Sequence, residues 1–284
     1  MKKGINAWAF PPKVPVREAM KYAKKAGYDA IELNLDEKGE IGLRTSEADL
    51  KKLATYAKRI GIEISSLSTG LYWAHNMAAD EPEERDQAIQ VLRRQLRTAN
   101  LLGCDAALVI PGVVKGLDPQ KPQVDPDAAW ERARAGVHAA VPLAEELGVS
   151  ICIENVWSTF LLSATEMRDF IDAADSPRVA CYFDPANCVK YGVPEQWVRV
   201  LGKRIQRVHA KDFRLSVGTL DGFVHLLEGD VNYPLLMDAL KGIGYTDYLT
   251  AEVFPYPYGL WESQVWTNSV ALDFILGRRR PMKV

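Results

Sequence analysis

Glu154, Asp184, His209 and Glu252 each close a short apolar run, in SICIEN, VACYFD, IQRVHAKD and YLTAEV respectively. The runs are rich in β-branched and aromatic residues and lead into loops, so each of the four belongs at the carboxyl end of a strand. Successive members lie 30, 25 and 43 residues apart, about one strand–helix–loop unit per step with a longer loop in the last. If the strands are parallel neighbours in a closed barrel, the four side chains meet at one mouth. Three carboxylates and one imidazole on a single point suit a hard or borderline divalent cation. Parity agrees, because side chains alternate across a strand. Glu154 shares a face with Cys152, Asp184 with Tyr182, His209 with Arg207 and Lys211, and Glu252 with Thr250. Ile151, Ile153, Cys181, Phe183, Val208, Ala251 and Val253 fall on the other face, which suits packing against helices.

The elements needed to position this set run the length of the chain. Strands are predicted at 3–8, 29–33, 62–67, 106–110, 150–154, 179–184, 205–211 and 249–252. Helices are predicted near 16–26, 46–60, 84–102, 127–147, 164–174, 195–201, 233–242 and 262–276. Five helices end in the same punctuation, AKKAGYDAIEL, AKRIGIEISSL, ANLLGCDAALV, AEELGVSICIE and LKGIGYTDYLTAE. A glycine there permits a left-handed C-cap before the next strand. Eight alternating units predict a (β/α)8 TIM barrel forming a single domain over residues 1–284. A doubly wound open sheet would want a phosphate-cradling glycine loop after the first strand, and NAWAFPPKVP has none.

Bulk properties narrow the class. With 35 basic and 37 acidic side chains the net charge is −2, unlike the basic footprint of a nucleic-acid binder. The one dense basic cluster, Arg278, Arg279, Arg280 and Lys283, reads as a solvated helix end, where cations are favoured. Cys104, Cys152, Cys181 and Cys188 form no CxxC pair and read as reduced thiols of a cytoplasmic protein. MKKGINAWAF lacks the apolar stretch of a signal peptide, and no window of ~18 apolar residues predicts a membrane span.

IENVW, YFDPAN, VHAKD and AEVF, in this order, resemble the metal-binding strand ends of the xylose-isomerase-like sugar isomerase and epimerase barrels. LGCDAALVIPG and LLEGDVNYPLLMDALKGIGY extend the resemblance along nearly the whole chain. The nearest subgroup is the ketose and ketose-phosphate 3-epimerases, also labelled hexulose-phosphate isomerases. The resemblance implies one divalent ion, Mn²⁺ foremost with Co²⁺, Mg²⁺ or Zn²⁺ as alternatives, held by Glu154, Asp184, His209 and Glu252. It also implies Glu154 and Glu252 as proton carriers in 3-epimerisation through an enediolate, and a homodimer or homotetramer. Two positions depart from free-sugar epimerases. Phe160 stands where they carry a glutamate, and Asn187 where they carry a histidine. Asn187 can still bond a sugar oxygen but Phe160 cannot replace a carboxylate, which shifts the expectation towards a phosphorylated ketose or another polyol.

For an anionic substrate the candidate contacts are Lys211, which faces inward, Arg214 just beyond it, and Lys115 in PGVVKG. Trp8, at the end of the first strand, is a candidate pocket wall. Glu32, in IELNL, has interior parity and is a candidate substrate contact. His75 lies in the loop after the third strand; His138 and His225 read as structural or solvated. Inosose-type dehydration and hydroxypyruvate-type isomerisation need the same donors. A sugar-binding barrel without catalysis would not need both glutamates. A multi-zinc DNA-repair barrel is excluded by only four histidines and the acidic balance.

Overall fold

The computed structural model describes residues 1–116, 118, 123–255 and 259–279. Its strands are β1 (Lys2–Asn6), β2 (Ala30–Asn34), β3 (Glu63–Ser68), β4 (Ala106–Val109), β5 (Ser150–Glu154), β6 (Val179–Phe183), β7 (Ile205–Ala210), β8 (Asp212–Phe213), β9 (Phe223–Val224) and β10 (Tyr248–Ala251). The helices are α1 (Val16–Lys25), α2 (Glu47–Ile60), α3 (Pro82–Leu102), α4 (Pro126–His138), α5 (Val141–Leu147), α6 (Ala164–Asp172), α7 (Pro185–Val189), α8 (Pro194–Leu201), α9 (Tyr233–Gly242) and α10 (Trp261–Ile275). Eight strands close a barrel in the order β1-β10-β7-β6-β5-β4-β3-β2, every pairing parallel. The expected (β/α)8 architecture is therefore present.

Alternation along the strands divides the buried residues into two regions. Ile151, Ile153, Cys181, Phe183, Val208, Ala251 and Val253 join the large core between barrel and helices. Ala106, Leu108, Cys152, Ala180 and Tyr182 form a separate small cluster inside the barrel. Arg207 closes the floor beneath them: it is 2% exposed, donates Nε to the Ser65 carbonyl at 3.1 Å, and pairs with Asp105 and with Asp247. The four cysteines are all buried and unpaired.

The five glycines read as helix stops, Gly27, Gly61, Gly103, Gly148 and Gly244, all have positive φ, which only glycine adopts without strain. Two expected elements differ and one was not expected. The first strand stops at Asn6 because the Asn6 carboxamide oxygen accepts the Trp8 amide at 2.7 Å and starts a 3₁₀ turn that contains Trp8. The expected helix 127–147 is two helices: Pro142 has no N–H for the His138 carbonyl, so α4 ends there and α5 starts anew. The helix α7 was not anticipated, although Asp184 followed by Pro185 is an N-cap with proline at the first helical position. At the C-terminus Arg278 pairs with Asp29 and Arg279 with Asp273, while Arg280 and Lys283 lie outside the described residues. Among the described residues no helix is long and apolar enough to cross a membrane.

Candidate active site

Four neighbouring strands, β5, β6, β7 and β10, carry the four residues singled out first, so half of the barrel wall supplies all of them. One ligand atom from each of Glu154, Asp184, His209 and Glu252 can be chosen such that all lie within 4.8 Å of one another. All four side chains are buried, between 0% and 7% exposed. Glu154 ends β5, His209 is the penultimate residue of β7, and Asp184 and Glu252 follow the last residues of β6 and β10.

Local bonding leaves Asp184 and His209 one face each for a cation. The Asp184 Oδ1 atom caps α7, accepting the amides of Ala186 at 2.8 Å and Asn187 at 3.0 Å. Its other oxygen, Oδ2, is buried without a hydrogen-bond partner. Asn155 clamps the Asp184 backbone from both sides, donating to its carbonyl at 2.7 Å and accepting its amide at 2.8 Å. The His209 ring is held from below: Nε2 lies 3.0 Å from Glu32 Oε1. Because an ionised carboxylate only accepts, Nε2 carries the proton and Nδ1 faces the mouth. There Nδ1 sits 3.1 Å from Glu154 and 3.2 Å from Glu252.

Glu32 was expected to touch substrate, and its placement corrects that. It is 0% exposed, and its oxygens are taken by Asn6, Ser66 and Tyr182 as well as His209. A group so engaged orients the histidine and has no oxygen left for a sugar. Lys211 faces inward as parity required, but its ammonium lies 3.0 Å from Glu252 and 3.6 Å from Asp184, against the Phe223 ring. It balances the carboxylates rather than waiting as a bare phosphate ligand. Arg214 is exposed and donates Nε to the Glu228 carbonyl at 2.8 Å, so it braces its own loop. Lys115 is exposed as well.

Trp8 and Asn34 line a cavity of about 560 Å³ at the ends of β1 and β2, together with Phe254 and Pro255. Asn187 is 7% exposed and accepts the Trp157 indole N–H on its carbonyl at 2.9 Å. Phe160 packs on Trp130 and Phe170, so that position contributes no polar group. His225, read as structural or solvated, lines a pocket of about 160 Å³ with Lys211 and Glu252. Residues 223–224 pair with 212–213, and this hairpin brings His225 over the mouth; no pattern in the sequence announces it. A cavity of about 1070 Å³ opens at the opposite end of the barrel near Ala180, Arg204 and Tyr245, away from the four residues.

Charge is unevenly divided among these side chains. Burial pushes the Glu154 carboxyl up to about 7, with His209 offsetting part of the rise. Burial would also raise Glu252, but Lys211 and His209 overcome it and hold that carboxyl below the usual range. Burial would lower His209, yet Glu32 and Glu252 raise it well above its ordinary value. The centre thus attracts positive charge and places two glutamates in unlike environments.

The xylose isomerase-like TIM barrel family matches residues 20–270. An L-ribulose-5-phosphate 3-epimerase of Shigella flexneri is 22% identical over 261 residues, covering 91% of this chain and 86% of that protein. An inosose dehydratase of Geobacillus kaustophilus is 24% identical over 197 residues, covering 64% of this chain and 62% of that protein. Among solved structures, a D-psicose 3-epimerase in the presence of D-fructose superposes with a TM-score of 0.79 at 19% identity, covering 98% of this chain and 100% of that one.

Proposed function

Because the chain belongs to the xylose isomerase-like TIM barrel family, we propose that it is a divalent-metal-dependent epimerase acting at C3 of a ketose or ketose phosphate. The observation that carries this reading is the meeting of Glu154 and Glu252 on one imidazole nitrogen, with Asp184 Oδ2 beside them lacking any hydrogen-bond partner. The Lys211 ammonium, 3.6 Å away, is too far to hydrogen-bond that buried oxygen, which is costly to leave uncompleted. The donor set fits a cation, with Mn²⁺ or Co²⁺ ahead of Mg²⁺ and Zn²⁺ for three oxygens and one imidazole. Glu154, Asp184, His209 and Glu252 would hold it. When bound, the ion would act as a Lewis acid on the ketose carbonyl and its neighbouring hydroxyl.

The protein residues then carry the proton. Glu154 and Glu252 come from strands separated by β6 and β7, so their carboxylates approach a ligand from two sides. One removes the proton from the carbon beside the carbonyl, and the other protonates the resulting enediolate from the opposite side, which inverts the centre. In the reverse reaction the two exchange roles. Lys211 offsets the charge of Glu252 and Asp184, and Asn155 keeps the β5 and β6 ends in register. A two-base reaction predicts that Glu154→Gln and Glu252→Gln each lower kcat by ~10²–10⁴. The test is turnover of a panel of ketoses, ketose phosphates and inososes in deuterated water, with Mn²⁺ supplied. Deuterium at C3 of both epimers supports the proposal; full activity of either glutamine variant overturns it. The inosose dehydratase relative favours dehydration as a second reading, since it begins with the same proton removal. A product lighter by one water would select it.

A further inference from the structure

The cavity of about 560 Å³ at the ends of β1 and β2 shares Phe254 and Pro255 with the smaller pocket that holds Lys211 and Glu252. The reacting carbons of a ketose belong at Glu154 and Glu252, and neither glutamate lines the larger cavity. At roughly 30 Å³ for each water-sized group, that cavity takes about eighteen hydroxyl-bearing carbons, some three times what a whole ketohexose contains. A ketohexose reacting at the carboxylates would leave most of this space to water.

Trp8 is fixed as one wall of the cavity. An indole N–H can only donate, so the Asn34 atom 3.0 Å from Trp8 Nε1 is the carboxamide oxygen. The Asn34 nitrogen then donates to Ser68 Oγ, whose own proton goes to the Leu33 carbonyl at 3.4 Å. Asn6 Oδ1 accepts the Trp8 backbone amide at 2.7 Å. Held through both its N–H groups, Trp8 loses little freedom when a ligand lies on its ring. Phe10, Pro11 and Phe254 add further apolar wall. The charged side chains of the lining are Asp36, Lys38 and Glu40, two negative against one positive. Glu40 accepts the Val16 amide at 2.8 Å, whereas the Asp36 carboxylate has no hydrogen bond or ion pair with a described residue. A carboxylate only accepts, which suits sugar hydroxyls, and the negative balance opposes a phosphate.

We propose that the substrate is a glycosylated ketose, whose second, uncharged sugar unit lies on the Trp8 indole in this cavity with its hydroxyls donating to Asp36. The inference rests on the epimerase reading above and narrows it to ketoses extended at the end remote from the carbonyl. A unit joined through O4, O5 or O6 leaves the carbonyl and the C3 proton free, so the reaction itself is unchanged.

The test compares, on the Mn²⁺-loaded enzyme, a panel of ketohexoses, their 6-phosphates and the same ketohexoses carrying a glucosyl unit on O4 or O6. The glucosylated substrate should have a kcat/KM about 10- to 100-fold above that of its bare and phosphorylated counterparts, mostly through KM, the effect of burying one sugar face on a tethered indole. Trp8→Ala should bring that ratio to within about threefold of unity, and Trp8→Phe, which keeps a ring, should retain part of the preference. Asp36→Ala should raise KM for the glucosylated ketose by about 3- to 10-fold. The substrate comparison needs only the unaltered chain, so it decides the matter even if a variant misfolds. Equal kcat/KM for bare and glucosylated ketoses, or a preference for the phosphates, overturns the inference and leaves the epimerase reading standing. Absence of turnover across the whole panel refutes that reading, and the inference falls with it.

Discussion

Glu32→Gln isolates the charge under His209 from its geometry. Glu32 Oε1 faces Asn6 Nδ2 and His209 Nε2, while Oε2 faces the hydroxyls of Ser66 and Tyr182. A glutamine keeps the first oxygen and turns an NH₂ towards two hydroxyls, each of which can rotate to accept. Shape and hydrogen bonds are thus retained, and the negative charge that makes His209 a stronger donor through Nδ1 is lost. Removing such a supporting partner typically lowers metal affinity by 10- to 100-fold, or about 1.4–2.7 kcal/mol. The loss of charge-assisted bonds at a fully buried group costs a further ~1–3 kcal/mol of fold stability. The assay is calorimetric titration of Mn²⁺ into the metal-free protein, with thermal melting in parallel to show that the variant is folded. A folded Glu32→Gln protein binding Mn²⁺ within about twofold of wild type would refute the assignment of Glu32 to the histidine.

Other outcomes follow from particular groups. Glu154 has its folded pKa raised to about 7, so the folded protein keeps a proton that the unfolded chain releases near 4.5. Its contribution to stability is therefore present at low pH and declines as pH rises from 4.5 to 7, by up to ~3 kcal/mol in the metal-free protein; Glu154→Gln should flatten that slope in urea melts. Mn²⁺ binding near pH 6 should correspondingly release protons, read as a buffer-dependent calorimetric enthalpy, and a buffer-independent enthalpy would contradict it. Arg207→Met removes the donor to the Ser65 carbonyl and leaves Asp105 and Asp247, both solvent-screened, without their shared partner; it should cost ~1–3 kcal/mol, with Mn²⁺ affinity unchanged. In Gly229→Ala the new Cβ would lie 2.2 Å from Asp212 Oδ1, the acceptor that ties Phe213 and Val231 together. Expected are a loss of ~1–3 kcal/mol and a raised KM from displacement of the segment between β9 and α9; wild-type kinetics would show that this segment does not shape the mouth.

The barrel was legible because its signals are local and repeated. Apolar runs of the right length, glycine C-caps and strand parity each depend on residues within one unit, and Gly27, Gly61, Gly103, Gly148 and Gly244 all behave as read. The same parity brought Glu154, Asp184, His209 and Glu252 to one point, since an inward residue at a strand end has nowhere else to go in a closed barrel. Which partner each side chain takes could not be read in this way. Glu32 and His209 are 177 residues apart, and only the barrel cross-section places that carboxylate beneath the ring instead of at the mouth. Lys211 faced inward on parity alone, yet its pairing with Glu252 depends on the distance between β7 and the end of β10. Arg214 and His225 sit in one irregular loop, where alternation carries no information. Asp212 and the hairpin turned the first outward and the second over the pocket. Sequence periodicity determined the scaffold and the four converging donors, and tertiary contacts across the barrel decided how those donors are charged, oriented and approached.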